Sequence, residues 1–235
     1  MKGKLYLIPA PLAEGTQEIV LTPLLISTTK TVDHFLCENV RTARRFISSL
    51  KVHASIEALH FDLLDKDTTS EEIEALMAPV LSGKDMGLMS ESGCPAIADP
   101  GSLAVSYAHR AGIKVVPIVG PSSIMLALMA SGMNGQRFAF HGYLPVESKE
   151  RVAAIRTLER ESKEKQQTQI FIETPYRNNA LLHSLVNTLM PHTVLCIAVN
   201  LTGSDEQVIS QPVSAWKKQV IQLEKTPVTF LFQAT

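Results

Sequence analysis

The predicted architecture rests on residues 87–101, which read Gly-Leu-Met-Ser-Glu-Ser-Gly-Cys-Pro-Ala-Ile-Ala-Asp-Pro-Gly. Residues 85–89 have the length of a short buried strand, and residues 102–111 have the composition of a helix. Between Ser90 and Gly101 there are two Gly, two Pro, two Ser and two acidic residues, which extend neither a strand nor a helix. We therefore predict a tight loop at the carboxyl end of a parallel strand, where open α/β sheets bind their ligands.

Apolar runs of strand length alternate with segments of helical character on both sides of this loop. Strands are predicted at 4–8, 32–37, 85–89, 113–119, 138–141, 169–173, 194–199, 207–210 and 228–232. Helices are predicted at 18–26, 41–50, 69–81, 102–111, 122–129, 146–165, 176–190 and 213–223. This alternation predicts an α/β fold with βαβ units and mostly parallel sheets.

A second glycine-proline turn, Gly120-Pro-Ser-Ser123, marks the predicted domain boundary. The chain of 235 residues is long enough for one large or two smaller domains. We expect an N-terminal α/β domain over residues 1–119 and a C-terminal α/β domain over residues 120–235. Two such halves would leave a crevice between them, which is a frequent place for a ligand.

Composition and charge describe an ordinary globular protein. The net charge of −1 gives the whole molecule no attraction to nucleic acid or to an anionic membrane, although a local basic patch would suffice for RNA. The three cysteines contain no Cys-x-x-Cys pair, which argues against a disulfide framework and for a reducing compartment. The longest apolar run, 124–130, is too short to span a bilayer. We expect a cytoplasmic protein without a membrane partner.

Several common catalytic and binding motifs are missing from the sequence. There is no Gly-x-Gly for a dinucleotide, no phosphate-binding Gly-x-x-x-x-Gly-Lys-Ser/Thr and no Gly-x-Ser-x-Gly nucleophile elbow. No two histidines are spaced at i, i+4, and none lies near a cysteine at the spacing of metal ligands. Hydrolase and kinase interpretations therefore lose support, and we expect no metal site.

Five segments occur in the order and spacing seen in the tetrapyrrole (corrin/porphyrin) methylase superfamily, which the chain resembles from residue 5 to about residue 232. They are Pro9-Ala-Pro-Leu12, Cys37-Glu-Asn-Val-Arg41, Ser90-Glu-Ser-Gly-Cys-Pro95 with Asp99-Pro-Gly101, Gly120-Pro-Ser-Ser123 and Glu173-Thr-Pro-Tyr-Arg177. The chain is most similar to the branch that methylates a ribose 2′-oxygen of small-subunit ribosomal RNA. The resemblance implies two α/β domains with S-adenosylmethionine in the cleft between them, and a homodimer.

The resemblance also implies which residues hold S-adenosylmethionine. They are Pro11, Ser92, Gly93, Cys94, Ile97, Ser122, Ser123, Glu173, Leu201, Thr202 and Pro227. Physical reasons support part of this set, because Gly93 lets the backbone approach a ligand closely and Ser122 and Ser123 offer hydroxyl and N–H groups at a predicted helix start. A purely structural interpretation stays open for each of them: Gly93 can be a turn residue and Ser122 a helix cap.

Three arginines are predicted to contact the substrate. Arg41 and Arg44 stand on one predicted helix, where the alternative interpretation is a solvated helix face. Arg177 follows Glu173 by four residues, so the two can instead form a structural ion pair.

Glu38 and Glu91 are the predicted catalytic residues, because a ribose 2′-hydroxyl is a poor nucleophile that needs a base or an oriented water molecule. The family's pair of acids after the second strand is Glu38-Asn39 here, and an amide cannot act as a base. We expect a methyltransferase that acts on ribosomal RNA or the small ribosomal subunit. A small tetrapyrrole acceptor is one alternative, and a non-catalytic module that binds S-adenosylmethionine or RNA, which Asn39 suggests, is another.

Overall fold

The computed structural model describes residues 1–219 and 222–235. The chain divides into two compact parts, Met1–Ser122 and Ser123–Thr235, which we call unit 1 and unit 2. Each combines one β-sheet with helices, so the predicted α/β class is confirmed in both. Within the described ranges, no helix combines the length and the hydropathy that a bilayer crossing requires.

Unit 1 is built on a five-stranded sheet in the order β3-β2-β4-β1-β5, and all four strand pairs are parallel. The strands are β1 (Lys4–Ile8), β2 (His34–Cys37), β3 (His60–Leu63), β4 (Met86–Met89) and β5 (Lys114–Pro117). The helices are α1 (Gln17–Val20), α2 (Pro23–Thr29), α3 (Val40–Ser49), α4 (Ser70–Leu76), α5 (Ala78–Leu81) and α6 (Gly101–Arg110).

The core of unit 1 lies on both faces of its sheet. Every residue of β2 and of β4 is buried, as expected for central strands of a parallel sheet with helices on each side. Because successive side chains of a strand point to opposite faces, Leu36 packs in one apolar cluster while Phe35 and Cys37 pack in another. The short continuous apolar runs that predicted these strands therefore reflect burial on both sides.

Proline divides two of the predicted helices. The predicted helix 18–26 is two helices, because Pro23 stands at the first position of α2 and the Thr22 hydroxyl caps it by accepting from Leu25 N at 3.2 Å. The predicted helix 69–81 is likewise α4 and α5, which meet at Met77, with Pro79 near the start of α5.

One strand of unit 1, β3, was not predicted from the sequence. The edge strand β3 pairs in parallel with β2, and its residues are half-buried or exposed. Its sequence, His-Phe-Asp-Leu, alternates over only four residues and carries little strand signal. Phe61 nevertheless stacks on Phe35 with ring centroids 5.2 Å apart, and this contact contributes to seating the strand on the core.

Unit 2 contains a second five-stranded sheet, in the order β6-β7-β10-β8-β9. Its strands are β6 (Phe138–Tyr143), β7 (Thr168–Glu173), β8 (Val194–Val199), β9 (Gln207–Pro212) and β10 (Val228–Gln233). Its helices are α7 (Ser123–Ser131), α8 (Ser148–Lys165), α9 (Asn178–Thr188) and α10 (Val213–Trp216), with a 3₁₀ turn at Pro175–Arg177. The predicted helix 213–223 extends partly outside the described residues, and its described helical part ends at Trp216.

The second sheet is mixed, which corrects the prediction of mostly parallel sheets for this half. Only β6 and β7 pair in parallel, and the β7–β10, β10–β8 and β8–β9 pairs are antiparallel. Residues 200–206 connect β8 to β9, and so short a connection cannot hold the helix that a parallel crossover needs. The core of unit 2 includes the stacked rings of Phe171 and Phe230, with centroids 6.0 Å apart.

Candidate functional site

The loops after β1 and β4 are joined at the carboxyl edge of the parallel sheet. Ala10 and Gly93 form an isolated antiparallel bridge, with Ala10 N donating to Gly93 O at 2.9 Å and Gly93 N donating to Ala10 O at 3.0 Å. The Ser92 hydroxyl donates to Pro11 O at 3.4 Å. Three of the predicted cofactor residues, Pro11, Ser92 and Gly93, therefore lie together.

The loop after β5 packs against the same place. A Cβ atom on Gly93 would lie 3.6 Å from Pro121 O, and the φ angle of Gly93, +73°, is one that favours glycine. A Cβ atom on Gly120 would lie only 2.2 Å from Cβ of Pro9, so this close approach requires glycine. Ser122, the next predicted cofactor residue, directly follows this contact, and α7 begins at Ser123.

Cys94 links these loops through its thiol. Its Sγ atom donates to Pro121 O at 3.3 Å. Burial raises the pKa of the Cys94 thiol, so the group stays protonated at neutral pH and is a poor nucleophile. This agrees with the interpretation of Cys94 as a loop residue. Ile97 lies farther along the same loop, and 49% of its surface is exposed.

A cavity of about 460 Å³ opens beside these loops, where the segments after β2, β3 and β4 meet. Its lining includes Glu38, Asp65, Lys66, Thr68, Ala98 and Asp99. Burial, followed by the charges of Glu91, Asp99 and Asp65, raises the pKa of Glu38. A carboxylate with a raised pKa takes up a proton more readily than an ordinary one, so Glu38 is suited to act as a general base.

Asn39 has a structural task next to Glu38. It is the N-cap of α3, and its side-chain oxygen accepts from Arg41 N at 3.0 Å and from Thr42 N at 3.2 Å. An aspartate would cap the helix in the same way. The amide at this position is therefore compatible with an intact fold at the cavity.

Glu91, the second predicted catalytic residue, is exposed and is held at the start of α3. The Thr42 hydroxyl donates to Glu91 Oε1 at 3.3 Å. Among the charges that raise the pKa of Glu38, Glu91 has the largest effect. The structure thus brings the two predicted catalytic carboxylates to one region.

The arginines of α3 have different surroundings. Arg44 lies over the Phe61 ring, with its guanidinium carbon 5.3 Å from the ring centroid. Arg45 pairs with Glu14 at 2.8 Å. Arg41 is exposed and takes part in no salt bridge to another described residue. Of the predicted substrate contacts, Arg41 and Arg44 are therefore the two whose charges no salt bridge to a described residue neutralises.

Glu173 and Arg177 form a tight pair in unit 2. Glu173 is buried, and its Oε1 atom accepts from Arg177 Nη2 at 2.6 Å, Arg177 Nε at 2.9 Å and Thr174 N at 2.7 Å. This geometry favours the structural ion pair over ligand contacts for these two side chains.

Three further predicted residues of unit 2, Leu201, Thr202 and Pro227, lie at the same edge of its sheet as Glu173. Asn200 N donates to Pro227 O at 2.9 Å, and Leu201 and Thr202 follow Asn200. In the ladder, Val228 pairs with both Glu173 and Val199. Thr202 has a left-handed φ of +71°, and its hydroxyl oxygen is buried without a hydrogen-bond partner.

Some residues of the site had no place in the sequence prediction. Asp65 and Lys66 follow β3, and the failure to predict this strand concealed their position at the cavity. Asp99 stood in the quoted Asp-Pro-Gly segment, which was a usable signal, but no role was assigned to it. No three His, Cys, Asp or Glu side chains of residues 1–219 and 222–235 are grouped so that they could hold a metal ion.

Comparison with known proteins adds the decisive observation. Residues 4–215 match the model of the tetrapyrrole (corrin/porphyrin) methylases. The chain belongs to this family. It is a methyltransferase, and the resemblance inferred from the five sequence segments is confirmed.

Relatives in the family are about 30% identical to this methylase over most of its length. Ribosomal RNA small subunit methyltransferase I of Escherichia coli O157:H7 is 30% identical over 221 residues, which are 93% of this chain and 73% of that protein. The protein of the same name from Xylella fastidiosa is 30% identical over 218 residues, 93% of this chain and 76% of that one.

Solved structures share the fold at lower identity. The methyltransferase CobJ superposes with a TM-score of 0.63 at 14% identity, covering 99% of this chain and 100% of that chain. Uroporphyrin-III-C-methyltransferase from Thermus thermophilus gives a TM-score of 0.55 at 19% identity, covering 99% and 93%. At these identities the likeness describes the fold of this methylase and carries no information about its substrate.

Proposed function

We propose that this methylase transfers a methyl group from S-adenosylmethionine to a ribose 2′-oxygen of small-subunit ribosomal RNA. The observation that carries the proposal is Glu38, a carboxylate of raised pKa on the wall of a cavity at the carboxyl edge of a parallel sheet. Relatives that carry the ribosomal RNA methyltransferase name, 30% identical over most of the chain, support RNA as the acceptor.

The residues at this edge fit a polar donor molecule. Gly93 and Gly120 let the loops after β1, β4 and β5 pack closely together, so the polar groups of these loops come to one place. In unit 1 the residues that would hold S-adenosylmethionine are Pro11, Ser92, Gly93, Cys94, Ile97 and Ser122. When bound, this cofactor supplies a methyl group attached to a positively charged sulfur.

The contacts proposed in unit 2 rest on a separate observation. The buried, unpartnered hydroxyl of Thr202 is an atom that a polar ligand group would satisfy. The full set proposed for unit 2 is Ser123, Glu173, Leu201, Thr202 and Pro227. The ion pair with Arg177 leaves Glu173 and Arg177 as the weakest members of the predicted cofactor and substrate sets.

Proton removal is the chemical task of this chain's own residues. We assign Glu38 to accept the proton that the acceptor 2′-hydroxyl loses on methylation. Glu91, held by Thr42, raises the pKa of Glu38 and helps orient the hydroxyl. Arg41 is assigned to an RNA phosphate, and Arg44, stacked on Phe61, to the same strand.

A labelling experiment separates the three functions considered. The protein is incubated with methyl-labelled S-adenosylmethionine and with small ribosomal subunits, free ribosomal RNA or a corrin precursor. We expect label in RNA, at a ribose 2′-oxygen, with wild type and not with Glu38→Gln. Label in the corrin precursor alone would contradict RNA as the acceptor, and donor binding without transfer to any acceptor would favour the non-catalytic module.

The proposed assembly is a homodimer located in the cytoplasm. Its support is the family resemblance together with the sequence composition. Size-exclusion chromatography with light scattering tests the dimer directly, and a monomeric mass at micromolar concentration would contradict it.

A further inference from the structure

We propose that Asp99 is a positioning residue for Glu38, because it fixes the loop that forms one wall of the cavity and places a carboxylate in the cavity that Glu38 also lines. The inference deepens the function proposed above and rests on it where catalysis is concerned. Asp99, Ala98 and Glu38 all line the same cavity.

The wall that Asp99 fixes has an unfavourable backbone. Ala96 has a φ angle of +66° and Ala98 one of +61°, a left-handed conformation that alanine rarely adopts. Two such residues within three positions persist only where the surroundings hold them. The segment therefore needs a specific restraint.

Asp99 supplies that restraint with one of its two carboxylate oxygens. Its Oδ1 atom accepts from Ala96 N at 2.8 Å and from Gly101 N at 2.8 Å, so it ties together both ends of the strained segment. A Cβ atom on Gly101 would lie 2.8 Å from this same oxygen, which leaves no room for another residue there. The oxygen of an asparagine side chain could accept both hydrogen bonds equally well.

The second oxygen of Asp99 has no structural partner. Its Oδ2 atom is buried without a hydrogen bond, and the nearby Ser90 hydroxyl, which donates to Ser92 O at 2.9 Å, lowers the pKa of Asp99 only against the larger raising effect of burial. The hydrogen bonds that hold the loop therefore need only the Oδ1 atom of Asp99. When it is ionised, the carboxylate of Asp99 also brings a negative charge into partly buried surroundings. A charge that the fold does not need points to a role at the cavity.

Glu38 is the group that this charge affects. The titratable and charged groups that face it come from two segments: Glu91 and Asp99 from the loop after β4, and Asp65 with Lys66 from the segment after β3. On α3, the exposed Arg41 lies nearby in sequence. Like charges favour the protonated form of a carboxyl group, so Asp99 makes Glu38 a stronger base.

The test compares variants that separate the charge of Asp99 from its loop. Asp99→Asn keeps the Oδ1 acceptor and removes the charge. Ala98→Gly keeps the charge and relaxes the strained segment, since glycine adopts a positive φ freely. The titration of Glu38 is followed by ¹³C NMR of labelled glutamate carboxyl groups, assigned with Glu38→Gln, and the pH dependence of kcat/KM is measured with small ribosomal subunits.

We expect Asp99→Asn to retain the thermal stability of wild type while the Glu38 titration and the acidic limb of the pH profile both move to lower pH. Ala98→Gly should leave both at their wild-type positions, because glycine adopts the observed positive φ without strain and the charge of Asp99 is kept. A Glu38 titration that is the same in Asp99→Asn and wild type would overturn the proposal and leave Asp99 a purely structural residue.

Two further outcomes keep the proposal testable. If Asp99→Asn does not fold, the wild-type protein alone provides the test. The ¹³C chemical shift of the Glu38 carboxyl group should then change in two steps with pH, one of them as Asp99 ionises, and a single-step titration curve would overturn the coupling. The NMR titration requires neither donor nor RNA. A shifted Glu38 titration without RNA methylation would therefore count against the proposed function and not against the positioning role.

Discussion

Glu38 is a carboxylate whose surroundings favour the protonated form. Its pKa is raised in the folded protein, by burial first and by neighbouring acids second. A group of this kind contributes to stability below its unfolded pKa, and that contribution is lost as the pH rises through the raised folded value. At neutral pH, the ionised Glu38 therefore lowers the stability of the fold in exchange for basicity at the cavity.

Replacing this carboxyl group should affect activity and stability in opposite directions. We expect Glu38→Gln to reduce methyl transfer by about a hundredfold or more, the effect of losing a general base. The variant should resist urea better than wild type at pH 7.5 and equally well below pH 4. Glu74→Gln, an exposed position on α4, is the matched control and should change neither property. Equal urea midpoints for wild type and Glu38→Gln at both pH values would contradict the raised pKa.

The start of α3 depends on one amide side chain. Asn39 satisfies two backbone N–H groups there, and the same helix carries Thr42 and the arginines proposed for RNA. Loss of such a cap typically destabilises a protein by about 1 kcal/mol. The position of several site residues therefore follows from the integrity of this first helical turn.

Two substitutions test the cap. Asn39→Ala should lower the free energy of unfolding by about 1 kcal/mol, whereas Asn39→Asp should stay within about 0.5 kcal/mol of wild type, because aspartate caps as well as asparagine. Urea unfolding measures both. Asn39→Asp should also keep its methyltransferase activity, and a complete loss in this variant would show that the amide itself takes part in the reaction.

The contact between the ends of β1 and β5 depends on the absence of a side chain. Gly120→Ala would place Cβ 2.2 Å from Cβ of Pro9, so we expect a loss of about 1–3 kcal/mol and weaker donor binding by calorimetry. Gly135→Ala is the control, because no atom lies within 4 Å of a Cβ there. If Gly120→Ala unfolds with the same free energy as wild type, the segments after β1 and β5 can separate without loss of stability, which would contradict this prediction.

Each of the two units has its own apolar core, and the only tryptophan of the sequence reports on one of them. Trp216 is buried in unit 2, where its Nε1 atom donates to Leu195 O at 3.0 Å. The cores of unit 1 contain no tryptophan. Tryptophan fluorescence therefore follows the unfolding of unit 2.

A core substitution in unit 2 should appear in this signal. Phe230 is fully buried, and we expect Phe230→Ala to cost about 3–5 kcal/mol and to lower the urea midpoint of the fluorescence transition. Phe138→Ala, at an exposed position of the edge strand β6, should change the midpoint much less. Equal shifts for the two variants would contradict the assignment of Phe230 to the core.

The sequence predicted well what depends on neighbouring residues. The span of β1 was predicted to the residue, and the helix predicted from residue 69 begins with Thr69 as the N-cap of α4. The sequence predicted less well the strand pairings and edge strands that depend on contacts between distant residues. The antiparallel pairing of β10 with β7 and β8 is decided by packing across more than 25 residues of chain, and β3 owes its place to Phe35 on another strand.

The candidate site shows the same division. Pro11, Ser92 and Gly93, which the motif segments assign to one site, lie together in unit 1, because all three follow strands whose order a parallel sheet constrains. Asp65 and Lys66 could not be found without β3. The partner of Glu173 was foreseen as one of two alternatives, and only the three hydrogen bonds to its Oε1 atom distinguish them.

The thiol of Cys94 has a practical consequence for following this protein in solution. Burial raises the pKa of Cys37 to about 12 and that of Cys196 to about 11, and it raises the pKa of Cys94 as well. At neutral pH almost none of these thiols is ionised in the folded protein, so an alkylating dye should react with them slowly. Cys94 is partly exposed, whereas Cys37 and Cys196 are buried. The rate at which the dye modifies Cys94 would therefore report how often the hydrogen bond from its thiol to Pro121 O breaks.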